Sequence, residues 1–430
     1  MIKSLVVSDK TNQLILFIFL FTTLSGAVRK WVFQGGVVSN AILGIQLIMP
    51  LLFLFLPLIK RPNSIGVILR VYIFLLFPMI VNPLNHTYYH GVIGFVLHLG
   101  MWIPFFYYFN NRSYLSIDRL IPVFILITIA EISLAMVQYS LPFEHFLNRY
   151  ANESIINHAA SIGDSIRVTG SFSYIGGFGS FMFFASCLIH IMIIRKTNFI
   201  ITYLLLMLGL MGAFMSGYRA VVGLFVLVVF SAFVFSGKFM RQMISLFKGG
   251  VILIFVLFFN SIINDPLGIE SRFIRSYDNF TQRVERSTER GEGQSRLSGP
   301  INDIINFRGE YWLFGIGLGS TYQGANAIWG ESIHLKPYGW YEEEPERILL
   351  EGGWILFLIR VILFVVLGYF LNIPLLLKAP LLILIFVYFP IVFNTFNAFY
   401  IFLGLSLLDI VYNNLEKKNI KLVEMFTKLS

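Results

Sequence analysis

Long runs of sequence without a single Lys, Arg, Asp or Glu dominate this chain, and they restrict it to one kind of fold. They cover 36–59, 87–111, 168–195 (closed by Arg195), 197–218, 220–237 and 249–263. Each approaches or exceeds the roughly 17–25 apolar residues that carry an α-helix across a hydrocarbon core. In lipid, backbone amides and carbonyls must be bonded within their own segment, so such runs are read as helices. Composition agrees: hydrophobic residues are 57% of the 430, charged residues 13%, and mean hydropathy is +0.76. That balance excludes a soluble globular domain.

Further spans are read at 65–81 with Arg70 near one end, 120–141 with Glu131 inside, and 353–377 with Arg360 inside. The block 379–408 fits either one long helix or two short ones broken at 394–397. The first run, 14–27, has Lys3 and Lys10 before it and Ser25-Gly26-Ala27 after it, as a secretory signal would. Arg29-Lys30-Trp31 and a whole membrane domain follow, so it is read as a retained anchor.

Orientation follows from the basic residues between spans, because short cytoplasmic loops carry the Lys and Arg excess. Lys60 and Arg61, Arg112 and Arg119, Arg195 and Lys196, Lys238, Arg241 and Lys248, and Lys378 all fall on one side. Lys417, Lys418 and Lys421 join them if the last block is two helices. The expected fold is an all-α integral membrane protein of about twelve transmembrane helices, with N and C termini cytoplasmic. Its predicted divisions are a membrane region over 1–263 with a smaller outer loop at 142–166, a large extracytoplasmic loop with short helices at 264–347, C-terminal spans over 348–412 and a cytoplasmic tail at 413–430. The net charge of +9 is this topological bias and points to no nucleic acid. The single cysteine, Cys187, lies in an apolar span and forms no internal disulfide.

Against that pattern, Arg29 (beside Lys30), Arg167 and Arg219 stand on the outer side. One outer arginine is commonly a snorkelling side chain; three together suggest an anion site. Glu131 and Arg360 lie within spans, where a charge faces a partner or a cavity; a pairing between them is expected. His98 and His190 are read as packed or hydrogen-bonded within the bundle. No metal-ligand cluster and no cofactor signature stand out.

In the large loop, Phe273, Tyr277, Phe280 and Val284 recur at helical spacing, with Arg275, Arg283, Arg286 and Arg290 elsewhere on the surface. This is an amphipathic helix, either a lid or an interfacial element. Gly291 to Ser295 reads as a flexible joint before a second helical pattern at Ile301, Ile304 and Ile305. The Gly-x-Gly-x-Gly of Gly315, Gly317 and Gly319 could cradle phosphate, but no strand precedes it. Aromatic rings gather here as well, among them Trp312, Tyr338, Trp340 and Tyr341, and flat ring faces suit stacking on sugars.

Several motifs resemble those of one family. Arg167-Val168-Thr169-Gly170-Ser171-Phe172 resembles the Arg-Thr-Gly element that opens a span in the superfamily of O-antigen ligases and Wzy polymerases. Met215-Ser216-Gly217-Tyr218-Arg219-Ala220 is similar to its Thr-Gly-Ser-Arg-Gly element. Trp312 to Ser320 resembles its Pro-Leu-Phe-Gly-x-Gly segment, and Arg347-Ile348-Leu349-Leu350-Glu351-Gly352-Gly353 resembles its Leu-Glu-x-Gly entry to the helix after the large loop, in the same order over about 167–371.

The resemblance implies a bacterial inner-membrane glycosyltransferase of GT-C type, acting on undecaprenyl-diphosphate-linked glycan. It implies that Arg167 and Arg219 hold the diphosphate, with Arg29 a further candidate that matches no motif. It also suggests membrane lipid, a chain-length regulator and a flippase as partners. Ligases of the superfamily carry a histidine about eleven residues before the glycine matching Gly353. Here Glu342 stands at that register, which puts polymerase ahead of ligase. The general base is then one of Glu342, Glu343, Glu344 and His334, since a sugar hydroxyl needs a carboxylate or imidazole to take its proton. A transfer of glycan to lipid A core, and a flippase for lipid-linked oligosaccharide, are the alternatives.

Overall fold

A computed structural model describes residues 2–58, 64–115, 117–151, 161–162, 165–235, 269–289, 302, 311–336, 343–392 and 394–427. In chain order its principal helices are α1 (Ile2–Ala27), α2 (Gly36–Ile48), α3 (Ser64–Leu76), α4 (Tyr88–Leu99), α5 (Trp102–Asn111), α6 (Ile121–Ser140), α7 (Ile175–Arg195), α8 (Phe199–Ser216) and α9 (Arg219–Phe235). They are followed by α10 (Ile269–Glu289), α11 (Gln323–Trp329), α12 (Glu344–Phe370), α13 (Leu375–Tyr388) and α14 (Thr395–Thr427). The described residues also include a two-residue antiparallel pair, β1 (Ser161–Ile162) with β2 (Ser165–Ile166).

Among the described residues, nine helices are long and apolar enough to cross a membrane, and Arg219–Phe235 and Leu375–Tyr388 are shorter apolar helices. This is the architecture of a polytopic membrane protein. The run at 249–263 lies outside the described residues, as does the second loop pattern at Ile301, Ile304 and Ile305. The last apolar block forms two helices, α13 and α14, separated at 389–394. The helix expected at 353–377 begins earlier, at Glu344, and ends at Phe370.

The chain divides into two compact units. Unit 1 is Met1–Phe19, Leu43–Asp118 and Ser295–Ser430; unit 2 is Leu20–Ile42 and Arg119–Gln294. Each has one helix enclosed by the others. In unit 2 it is Ile175–Arg195, 94% buried, with Ala, Ser and Gly between its aromatic residues. Small side chains let neighbours approach closely, which is how helices associate where lipid is as apolar as the core. In unit 1 it is Thr395–Glu416, also 94% buried.

Local signals set the helix ends. Asn198 caps α8, its side-chain oxygen accepting from the amides of Ile200 (3.0 Å) and Ile201 (3.4 Å). Gly217, at φ 60°, ends the same helix in the left-handed conformation that a glycine adopts without strain. Because the chain reverses there, Arg219 begins α9 at the end of the bundle where α8 finishes.

In unit 2 the amphipathic helix is present as α10, but its docked face differs from the expected one. Ser276 and Asn279 are buried, and Asn279 donates to the Tyr139 hydroxyl at 2.8 Å. Phe280 packs on Phe214 with ring centroids 5.2 Å apart. Tyr277 touches Phe214 at its edge yet remains 49% exposed, and Val284 is 36% exposed. Hydrogen bonding to Tyr139 sets the rotation of the helix, so the apolar periodicity alone misses it. Arg290 and the side chain of Phe273 lie outside the description.

Candidate functional site

The last turn of α1 widens into a π-helix over Val28–Val32, which carries Arg29 and Lys30. Such π-turns interrupt the regular ladder and occur often at functional sites. Both side chains are buried, 4% and 1% exposed, so Arg29 is not a snorkelling anchor. Its Nε donates to Ser39 Oγ (3.2 Å) and its Nη1 to Ser173 Oγ (3.0 Å). Lys30 Nζ donates to Thr169 Oγ1 (2.9 Å) and to the Gly170 carbonyl (2.6 Å), and lies 4.8 Å over the ring of Trp31. Both residues therefore grip the segment that begins with Arg167.

That segment, 167–173, is fixed from several sides within unit 2. Gln138 Oε1 accepts from the amides of Thr169 (3.3 Å) and Gly170 (2.8 Å), while its Nε2 donates to the Gly170 carbonyl (2.9 Å). Glu131 accepts from the Ser171 amide (2.9 Å) and from the Ser171 hydroxyl (2.6 Å). Gly170 sits at φ 54°, and a Cβ there would press on Glu131. Gly26 is needed for the same reason: a side chain on it would run into the Ser171 carbonyl. The expected pairing of Glu131 with Arg360 is thus corrected: Glu131 serves the 167–173 segment of its own unit.

Arg167 itself is half-buried. Its Nε donates to the Ser216 carbonyl (3.2 Å), and the Val168 amide to the Met215 carbonyl (3.2 Å), satisfying carbonyls that the end of α8 leaves open. Tyr150 donates to the Arg167 carbonyl at 3.3 Å. Burial pushes the Tyr150 phenol above its ordinary range, against the opposing pull of the Arg167 charge. Burial likewise raises Tyr174, with Arg29 opposing. Arg219, three residues beyond Ser216, opens α9 at the same end. Three arginines far apart in sequence, and Lys30 with them, therefore converge on one end of unit 2.

The segment is stable only while its amides keep their acceptor, which is testable directly. Gln138→Leu leaves the Thr169 and Gly170 amides without that oxygen, at a cost of about 1–3 kcal/mol for each. The thermal midpoint of the detergent-solubilised protein is expected to fall by several degrees. A midpoint equal to wild type would show that the segment is held without Gln138.

In unit 1 the carboxylate and histidine candidates separate. Glu343 is the N-cap of α12 in a capping box, its amide donating to the Glu346 carboxylate at 3.4 Å. Glu344 is fully buried, accepts from the Val392 amide (3.0 Å) and lies 3.8 Å from Arg360 Nη2. The enclosed Glu344 does not suit a base that meets an acceptor. His334 is partly exposed, and its Nδ1 is held by the Tyr311 hydroxyl at 2.7 Å, which fixes the ring while Nε2 points elsewhere. Trp312 is half exposed. Glu342, Tyr338, Trp340 and Tyr341 lie outside the described residues.

Sequence reasoning also passed over a buried network in unit 1. Helix α12 is interrupted at Gly353, where φ is 61° and ψ −162°. A break inside a helix apolar enough to span a membrane frees backbone groups that must find partners, and the glycine-rich segment supplies them. The amides of Ile316 and Gly317 donate to the carbonyls of Leu350 (2.7 Å) and Glu351 (3.1 Å), and the amide of Trp354 donates to the Trp312 carbonyl (2.8 Å). The Gly-x-Gly-x-Gly is therefore the partner of a broken helix, and the amides of Ile316, Gly317 and Gly319 are committed there.

Glu351 lies at this break and is fully buried. It accepts from the amides of Gly319 (2.8 Å) and Thr321 (3.2 Å), the Thr321 hydroxyl (2.5 Å) and His98 Nε2 (2.9 Å). Arg360 can only donate, so its Nη2 bond to His98 Nδ1 (2.9 Å) makes that nitrogen an acceptor and places the ring proton on Nε2, facing Glu351. Glu344, Arg360, His98 and Glu351 thus form one continuous polar chain, and Arg347 Nη1 adds a bond to the Thr321 carbonyl at 2.8 Å. His98 is hydrogen-bonded within the bundle as expected, and so is His190, whose Nδ1 lies 2.7 Å from the Val228 carbonyl.

No protein-family model, curated protein or solved structure matches the chain.

Proposed function

We propose that this chain is a polymerase of surface polysaccharide, a membrane glycosyltransferase that joins undecaprenyl-diphosphate-linked oligosaccharide repeat units on the outer face of a bacterial inner membrane. In this reading about twelve spans place both termini in the cytoplasm, and the 167–173 segment and the start of α9 face outward. The observation that carries it is the placement of Arg29, Arg167 and Arg219 at one end of unit 2, with the Arg167 segment fixed by buried bonds. The resemblance of the Arg167 and Arg219 motifs to the O-antigen polymerase and ligase superfamily gives the chemical class.

The reaction asks for such a site. An acceptor hydroxyl attacks the anomeric carbon of the donor, the bond from that carbon to the diphosphate oxygen breaks, and undecaprenyl diphosphate leaves with the bonding electrons. Negative charge grows on the leaving oxygen, so guanidinium groups fixed there stabilise the transition state more than the ground state. Arginine suits the task because its planar fork binds phosphate oxygens in pairs and stays charged. The acceptor proton passes to a general base, a carboxylate or an imidazole.

One observation favours a second reading. Broken helices near the midplane mark binding sites in secondary transporters, and α12 is broken at Gly353. A flippase for the same lipid-linked oligosaccharide is therefore the competitor. Purified protein in proteoliposomes with undecaprenyl-diphosphate oligosaccharide as sole substrate separates them: a ladder of longer glycans is the expected result. Transfer that appears only with added lipid A core would make the protein a ligase, and movement across the bilayer without new linkages would make it a flippase.

A further inference from the structure

A second feature of unit 1 has the shape of a binding surface. Tyr88 and Tyr89 open α4, and Trp329 closes α11, some 240 residues later in the chain. The Trp329 ring stacks on Tyr89 with centroids 5.2 Å apart and planes 15° from parallel, and Tyr88 leans on Tyr89 at 4.1 Å. From behind, His90 meets the edge of Trp329 at 5.9 Å. That imidazole is locked, with Nδ1 2.8 Å from Thr87 Oγ1 and Nε2 3.1 Å from Asn326 Oδ1; Asn326 Nδ2 donates in turn to the Ser320 carbonyl at 3.0 Å. The rings are therefore set in place before any ligand arrives.

Tyr88 is 60% and Tyr89 45% exposed. Two polar residues follow close on Trp329: His86 packs at Gly330, its Nε2 2.9 Å from where a Cβ would stand, and the exposed Glu331 comes next in sequence. This combination selects among occupants. An acyl chain matches the rings alone and makes no use of the polar His86 and Glu331 beside them. A pyranose presents an apolar C–H face to a ring and hydroxyl groups around its edge, where an imidazole and a carboxylate can bond them.

We propose that Tyr88, Tyr89 and Trp329, with His86 and Glu331 beside them, form a platform that stacks a sugar ring of the glycan chain. The choice of glycan rests on the function proposed above, where such a platform would retain the growing chain between additions. The stacking itself is testable apart from that function.

The probe is the surface polysaccharide of the producing cell, freed of lipid by mild acid and titrated calorimetrically into the full-length protein in nanodiscs. Wild type is expected to bind saturably. Trp329→Ala and Tyr88→Ala are each expected to weaken binding about fivefold or more, in the range of ring-stacking contributions. Tyr88 is largely exposed, so its loss spares the fold, and Tyr88→Phe is expected to retain binding. No binding by wild type, or equal binding by wild type and both alanine variants, overturns the platform and leaves the rings as an interfacial aromatic belt. The same variants in the ladder assay are expected to give shorter chains. Normal ladders with unaltered binding sink the platform while the polymerase reading stands; weakened glycan binding in variants of a protein that makes no ladder sinks the polymerase reading while the platform stands.

Discussion

Arg167→Ala and Arg219→Ala are each expected to leave an inserted, folded protein that makes almost no long-chain glycan. The size of the loss follows from what the guanidinium would do. A fixed donor aimed at developing charge in a site shielded from water is worth about 10²–10³ in rate, or about 2.7–4 kcal/mol. Loss of activity through unfolding is separable here, because the bonds that hold the segment come from other atoms. Gln138, Glu131 and Lys30 bind the backbone and side chains of Thr169, Gly170 and Ser171, and all remain when the Arg167 side chain is cut. Among the bonds that go with it is the donor to the Ser216 carbonyl, worth about 1 kcal/mol.

Arg167→Lys keeps the charge and loses the fork, so it is expected to fall between wild type and alanine. Arg29 is a different case. It is buried and bonded to Ser39 and Ser173, so Arg29→Ala removes packing along with charge and is expected to lower expression as well as activity. Ladder length on gels, with membrane abundance measured in parallel, checks all of these. Normal ladders from both Arg167→Ala and Arg219→Ala would overturn the diphosphate clamp.

The contrast between Arg167 and Arg29 shows what a sequence of this kind discloses. The helices were legible because charge-free runs leave a chain in lipid little alternative, and Gly217 and Asn198 announce their own turns and caps. The convergence of the outer arginines was legible only as a charge pattern. Which charges meet was not, because hydropathy does not say which helices are neighbours. Glu131 was matched to Arg360 on depth alone, whereas it bonds Ser171, forty residues ahead in the chain. Gln138, which holds the Arg167 segment most directly, has no motif; its one signal was a long polar amide inside an apolar span. The triple glycine offers backbone amides, yet without a strand before it the sequence gives them no phosphate to hold and does not say what else they bind. The consecutive Gly352-Gly353 was the sign that a helix nearby would need those amides first.

That use of the amides sets the second large effect. Glu351→Ala is expected to destabilise the protein by at least about 3 kcal/mol, the lower end of the cost of removing one partner from a buried charged contact. Four donors converge on this carboxylate: the Gly319 and Thr321 amides, the Thr321 hydroxyl and His98 Nε2. Alanine leaves all four buried, and the hydroxyl and imidazole cannot turn to water because their surroundings are closed: Thr321 is 1% and His98 0% exposed. The damage then spreads along the chain, since Arg360 relies on His98 as an acceptor and Glu344 stands 3.8 Å beyond it.

Glu351→Gln tests whether the carboxylate is needed or merely a group of that shape. One of its oxygens becomes an NH₂ that faces two donors, so about half the bonds persist and an intermediate loss is expected. The order wild type, glutamine, alanine should appear in thermal midpoints in detergent, and amide exchange should rise first at 315–321. If Glu351→Ala unfolds within about 0.5 kcal/mol of wild type, the ordinary scatter of a surface substitution, then the break at Gly353 is held by its backbone bonds alone. In that case the polar chain from Glu344 to Glu351 has a role other than stability.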